Sequence, residues 1–346
     1  MNGSPHKEIC STDLSTYTSL TIHGLGSSDE NPAEITLFRS QSFPAPRSFE
    51  DRVALPRDES WAPLSLPKNG AHLELELTDS ISEGRIGLAY SVRVINDSAH
   101  LDLPDLCIKL VKPKFGRTLA REAWFYEQLA REQGYEGVVT PRCFGFFTVP
   151  LKECMDVEGR PVSHINPWEN ITIHLPEPHP ECTEQIEDTQ WWLPDDPPSH
   201  QKYYEDSDGW KSGSPWNKWR SSPSDPLICV LVLEKLGKFY FCENIRPGGK
   251  QEDHEEVELN DMRDLVRDVT STGIVHGDLR FHNVVRATRD VVCPRHERAH
   301  RWRLIDFDTA MRIRVTPENP GDFRYAMNLS MDDWPGLLLG VVIGSL

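Results

Sequence analysis

The residues of this chain best suited to chemistry lie at 274–285, Ile-Val-His-Gly-Asp-Leu-Arg-Phe-His-Asn-Val-Val. The stretch begins and ends apolar, and between the ends stand His276, Asp278, Arg280 and Asn283. Apolar flanks predict short buried strands with the polar middle held between them as a loop. Residues 303–308, Arg-Leu-Ile-Asp-Phe-Asp, repeat the design: an apolar approach, then the carboxylate of Asp306. One carboxylate shortly before an asparagine, and a second after an apolar strand, supply a base-like group and two oxygen ligands for Mg²⁺.

Several elements must position these groups. Residues 258–272 predict a helix with Leu259, Met262, Leu265, Val266 and Val269 on one stripe, leading through Gly273 into the first loop. Residues 227–236 form an apolar strand that runs into Glu234 and then Gly237. Residues 106–111 are another strand, and Lys109 inside it must reach a partner or extend to water. Residues 117–132 read as a helix, with Leu119, Ala123, Tyr126, Leu129 and Ala130 recurring at threes and fours before Gly134. Residues 71–77 and 90–95 alternate and predict a hairpin. In its turn, Gly84 and Gly87 either let backbone N–H groups approach a phosphate or serve an ordinary reversal. Residues 141–149 read as a further strand.

The string His276-x-Asp278-x-x-x-x-Asn283, followed by Asp306-Phe307, resembles the catalytic loop and metal motif of the protein-kinase-like superfamily. From about Leu73 onward the chain resembles divergent fungal protein-kinase-domain proteins. The resemblance implies an α+β, bilobal protein-kinase-like fold with a small β-rich N-lobe and a shortened helical C-lobe. It implies ATP and Mg²⁺ as cofactors, with Asn283 and Asp306 on the metal and Lys109, fixed by Glu122, on the α- and β-phosphates. Asp278 would serve the acceptor hydroxyl, and Arg280 would lie near the γ-phosphate. Ser82, Gly84, Gly87 and Ala89 fall on the glycine-rich loop pattern, with Ser82 in place of its first glycine. The backbone around Glu234 and Leu236 would hold the adenine edge. Glu127 would be a surface residue and His276 a scaffold residue.

Three departures bear on function. Gly277 stands where protein kinases carry an arginine, a variant similar to small-molecule kinases of the choline and aminoglycoside types. Asp308 replaces the glycine of the metal motif, and Thr316-Pro-Glu318 only echoes the Ala-Pro-Glu string. The leading reading is phosphoryl transfer to a protein hydroxyl by a Ser/Thr protein-kinase-like enzyme. A small-molecule phosphotransferase and a catalytically inactive binding module of the same fold are the alternatives.

The chain divides into a partly disordered arm at 1–70, an N-lobe at 71–236 with an insert at 152–225, and a C-lobe at 237–346 that stops after the activation segment. The insert is rich in Pro and acid and holds Trp168, Trp191, Trp192, Trp210, Trp216 and Trp219. Tryptophan is costly to leave in water, so some are expected to dock on the domain or on a partner, although a solvated insert is the plainer reading. A net charge of −17 argues against nucleic acid as the main partner. The N-terminus has no apolar signal core and the final apolar run is too short for a membrane helix, which points to an intracellular protein, cytoplasmic or nuclear. The eight cysteines are scattered, and none pairs at zinc-knuckle spacing. Cys293, His296 and His300 have metal-ligand types, but a basic surface hairpin explains them as well.

Overall fold

Strict alternation sets the main element. The computed structural model describes residues 13–28, 31–48, 59–84, 86–132, 134–169, 193, 195–196, 204–206, 208–240, 253–313, 315 and 320–331. Seven strands carry the architecture: β1 (Tyr17–Ser27), β2 (Pro32–Arg39), β3 (Ala71–Glu83), β4 (Gly87–Asp97), β5 (Leu106–Val111), β6 (Cys143–Pro150) and β7 (Leu227–Glu234). Their order is β2-β6-β7-β5-β4-β3-β1, and β1 pairs back onto β2, so the sheet closes. All pairings in the ring are antiparallel except β1 with β3, where Ile22 lies beside Leu75. The short strand His164–Ile165 hangs on β1 outside the ring.

Every second residue fills the barrel. Leu20, Ile22, Ile35, Leu37, Leu73, Leu75, Leu106, Ile108, Leu110, Ile228, Val230 and Val232 belong to one buried cluster. The residues between them on β7, Cys229, Leu231 and Leu233, belong to a second cluster with helix α1 (Gly116–Arg131). Strand β7 is therefore buried on both faces, which is why it reads as a continuous apolar run rather than an alternating one.

This architecture overturns the expected bilobal α+β, protein-kinase-like fold. The chain forms a closed seven-strand mixed β-barrel with 37% strand against 26% helix, and among the described residues no helical C-lobe faces a small β-rich lobe. The physical reason lies in the residues assigned to an arm. Strands β1 and β2 join both edges of what would otherwise be an open sheet and remove them. Residues 17–27 and 32–39 are thus barrel wall.

Helix α2 (Asp253–Ser271) buries Met262, Leu265, Val266 and Val269 of the expected stripe, with Leu259 partly buried. Beyond it β8 (Ile274–Val275), β9 (Val284–Arg286), β10 (Trp302–Leu304) and β11 (Met311–Ile313) form two short antiparallel ladders, β8 with β11 and β9 with β10. Part of the insert docks on the fold. Trp216 is buried and its Nε1 donates to the Gln41 carbonyl at 2.6 Å, while Trp168 Nε1 donates to the Val111 carbonyl at 3.1 Å. Trp191, Trp192, residues 316–319 and residues 332–346 lie outside the described residues. Among the described residues no helix is long and apolar enough to cross a membrane.

Candidate functional site

The two short ladders bring the two polar loops together. Residues 276–283 and 305–310 are each bracketed by the same pairings, Val275 beside Met311 at one end and Val284 beside Leu304 at the other. Ile305 N–H donates to the Asn283 carbonyl at 3.0 Å, which seats Asn283 next to the approach to Asp306. The Asn283 side chain is buried and its Nδ2 donates to the Asp278 carbonyl at 2.8 Å, leaving Oδ1 as the amide atom not spent on that bond.

Lys109 reaches this corner from the barrel. It pairs with Ala89 on β4 and Leu231 on β7, so these three share a face. Its neighbours Ile108 and Leu110 point into the barrel, and alternation turns Lys109 outward toward α1. There its Nζ lies 2.6 Å from Glu122 Oε2 and 2.5 Å from Asp306 Oδ1. Glu122 is 1% exposed and Asp306 31%, so the ammonium joins a sealed carboxylate to an accessible one. Burial alone would pull the Lys109 pKa down, but Asp306, Glu122 and Asp308 outweigh it and hold the ammonium above its ordinary range. Burial pushes the Glu122 carboxyl up to about 8, with Lys109 opposing and Asp306 and Asp308 adding to the rise.

Asp306 has φ 67, a left-handed conformation uncommon for a residue with a side chain. Phe307 is fully buried beside it, packing edge-on against Tyr126 of α1 at 5.4 Å and tilted against the His276 ring at 4.7 Å. These contacts fix a backbone that would otherwise relax. His276 donates from Nε2 to the Ile305 carbonyl at 2.8 Å, and its pKa is lowered, by burial first. The ring is therefore a neutral brace between the loops. Gly277 has φ 78, and a Cβ there would meet the Thr309 carbonyl oxygen at 2.5 Å. Only glycine lets the loops pack this closely. Asp278 lies at the accessible edge with its Oδ1 2.6 Å from Arg280 Nε, and the Arg280 side chain is 69% exposed.

The other expected residues divide. Ser82 pairs with Ala89 across the hairpin, and Gly84 N–H donates to the Gly87 carbonyl at 2.8 Å. Gly84 is exposed with room around it, but Gly87 is buried. A Cβ on Gly87 would meet the Leu110 carbonyl at 2.5 Å, so strand packing accounts for that glycine. Glu234 N–H donates to the Arg142 carbonyl at 2.9 Å and its Oε2 accepts from Arg142 N–H at 3.1 Å, so it is committed to the barrel. Two residues on, no described residue hydrogen-bonds the Leu236 main chain.

Sequence reasoning missed the burial of Glu127, which accepts from Ser42 Oγ at 2.7 Å, and nothing local marked it. Asp308, the carboxylate that replaces the glycine of the motif, is buried near Lys109 and Glu122 and adds a third carboxylate to the cluster. No protein-family model matches this sequence, and no curated protein matches it.

Proposed function

We propose that this corner binds ATP with Mg²⁺ and transfers the terminal phosphoryl group to the hydroxyl of a protein substrate, a protein-kinase-like phosphotransferase activity. The observation that carries the reading is the ammonium of Lys109 held between buried Glu122 and accessible Asp306. The proposal rests on this cluster and not on the architecture, which is a barrel.

The residues fit a divalent cation. Three carboxylates, Glu122, Asp306 and Asp308, crowd one ammonium, and the excess negative charge opens toward Asp306. Asp306 and Asn283 would hold Mg²⁺ with hard oxygen donors, and the ion would neutralise charge on the phosphates. Lys109 would donate to the α- and β-phosphate oxygens while Glu122 keeps it aimed. The main chain at Leu236, which no described residue hydrogen-bonds, suits the hydrogen-bonding edge of adenine. Asp278 would accept the proton of the attacking hydroxyl as the new O–P bond forms. The bond from the γ-phosphorus to the bridging oxygen then breaks and ADP leaves. Arg280 would exchange Asp278 for the transferring group, as its exposed stem allows. The open edge at Asp278 and Arg280 suits a hydroxyl presented on a polypeptide.

Thermal unfolding of the wild type and Asp306→Asn, with and without Mg²⁺ and ATP, tests the proposal. Stabilisation of the wild type is expected only with both ligands, near 2.7 kcal/mol when free ligand is about 100 times its Kd. Its loss in Asp306→Asn is the supporting result. A folded wild type that ignores Mg²⁺ and ATP, or a variant that responds equally, overturns the site.

A further inference from the structure

The second chemically loaded corner lies away from the loops, where α2 meets the hairpin after β9. Strands Val292–Cys293 and Arg298–Ala299 pair, Glu297 N–H donates to the Cys293 carbonyl at 2.9 Å, and Glu297 takes a positive φ of 52. This tight reversal returns His296 toward Cys293 and delivers His300 at its exit. Cys293 Sγ lies 3.5 Å from His296 Nδ1, and His296 Nδ1 lies 3.1 Å from His300 Nε2. Asp268, on α2, closes the group with Oδ2 3.7 Å from His296 Nδ1. One donor atom from each of the four lies within 4.8 Å of the others.

We propose that Cys293, His296, His300 and Asp268 form a structural zinc site that clips the hairpin to α2. Four ligands on Zn²⁺, at bond lengths of about 2.0–2.3 Å in a tetrahedron, lie roughly 3.3–3.8 Å apart. The separations of 3.5 and 3.7 Å from His296 Nδ1 match that spacing, and the 3.1 Å to His300 Nε2 is slightly shorter. The proton arrangement favours a cation over a simple hydrogen-bond cluster. His300 Nδ1 lies 2.7 Å from Asp261 Oδ1, and a carboxylate only accepts, so Nδ1 carries the proton. Nε2, the ring nitrogen that this bond leaves for a metal, faces His296 Nδ1. Thiol sulfur, carboxylate oxygen and this nitrogen converge on a space where His296 Nδ1 has at most one proton to share. A metal satisfies all four together.

The surroundings agree. His300 and Cys293 are fully buried, Asp268 is 5% exposed and His296 is half-buried, and the four side chains fill the coordination shell of a structural zinc ion. Asp261 supplies the carboxylate that orients the far nitrogen of a ligating histidine, and it also receives Arg301 N–H at 2.8 Å. Arg295 Nη2 stands 2.8 Å from Asp268 Oδ2, but that oxygen has lone pairs for both the guanidinium and the ion. Arg295 is also held by the Gly134 carbonyl at 3.1 Å and lies over the Tyr135 ring at 3.9 Å.

This proposal stands apart from the phosphotransfer reading, and its test is independent of it. The full chain, made without a polyhistidine tag, is titrated with Co²⁺ and then with Zn²⁺. The expected result is a thiolate-to-cobalt band in the near ultraviolet and tetrahedral bands in the visible, both abolished when Zn²⁺ displaces Co²⁺. Cys293→Ser should lose the near-ultraviolet band, and Asp261→Asn should weaken Co²⁺ binding about 10- to 100-fold. Asp306→Asn should leave the spectrum unchanged. A folded wild type without the band, or a band that survives Cys293→Ser, overturns the proposal.

Discussion

Removing the cation from a buried cluster of lysine and carboxylates leaves the carboxylates without a partner. Lys109→Met would leave Glu122 sealed under α1 with no cation, and would remove the donor proposed for the phosphates. The expected outcome is a loss of ATP-dependent stabilisation and about a 10²- to 10³-fold fall in transfer rate, the usual cost of deleting one preorganised electrostatic group. Calorimetric titration and a radiolabelled-phosphate assay would measure the two. Glu122 also predicts a pH dependence. Its folded pKa of about 8 exceeds its ordinary value of 4.5, raised by burial. Its contribution to stability is therefore full below about pH 4.5 and is lost as pH rises through about 8. Glu122→Gln should flatten that limb of the urea midpoint against pH. Parallel curves for the two proteins would show that another group is responsible.

At the scale of elements, the geometry of the proposed site depends on two loops pressed together and on a helix held in place. Gly277→Ala meets both an unfavourable φ of 78 and the Thr309 carbonyl. It should cost roughly 1–3 kcal/mol in denaturant unfolding and shift Asp278, weakening activity beyond the stability loss. Unchanged stability would mean that the loops have room to part. Helix α1, which carries Glu122, is clamped from outside by the insert. Arg121 pairs with Asp195 at 2.8 Å, each side chain 2% exposed, and Arg117 pairs with Asp196 at 3.0 Å. Removing one member of a buried pair costs roughly 3–5 kcal/mol. Arg121→Ala should fall near the lower end because Lys211 still contacts Asp195. A cost under about 1 kcal/mol would show that the insert is not a structural clamp.

For the whole molecule, barrel closure is the decisive feature. Deleting residues 1–40 removes β1 and β2, exposes the interior around Leu73, Leu75 and Phe147, and leaves two unpaired sheet edges. The truncated chain should lose its cooperative melting transition and bind a hydrophobic dye. A melt like that of the full chain would show that the remaining five strands fold alone. The same deletion removes Ser42's neighbours along the chain but not Ser42 itself, so the burial of Glu127 is a second reporter of how far the damage spreads.

What the sequence determined by itself is local. Apolar runs flanking His276, Asp278 and Asn283, and again preceding Asp306, specified two short strand-bound loops with those groups between them. The cation inside Leu106–Val111 had to reach a partner or extend to water, and the spacing on 117–132 gave a helix that could offer Glu122. These features are legible because they depend on periods of two and three to four residues. Only the tertiary structure decided that β1 and β2, polar on one side and rich in threonine and serine, would close a barrel and exclude a bilobal fold. It also decided that Glu127 lies inside, that Glu234 and Gly87 serve the strands, and that Asp268 meets Cys293, His296 and His300. Each of these depends on pairing between distant segments, whose register is set by which surfaces can be buried together rather than by any local pattern.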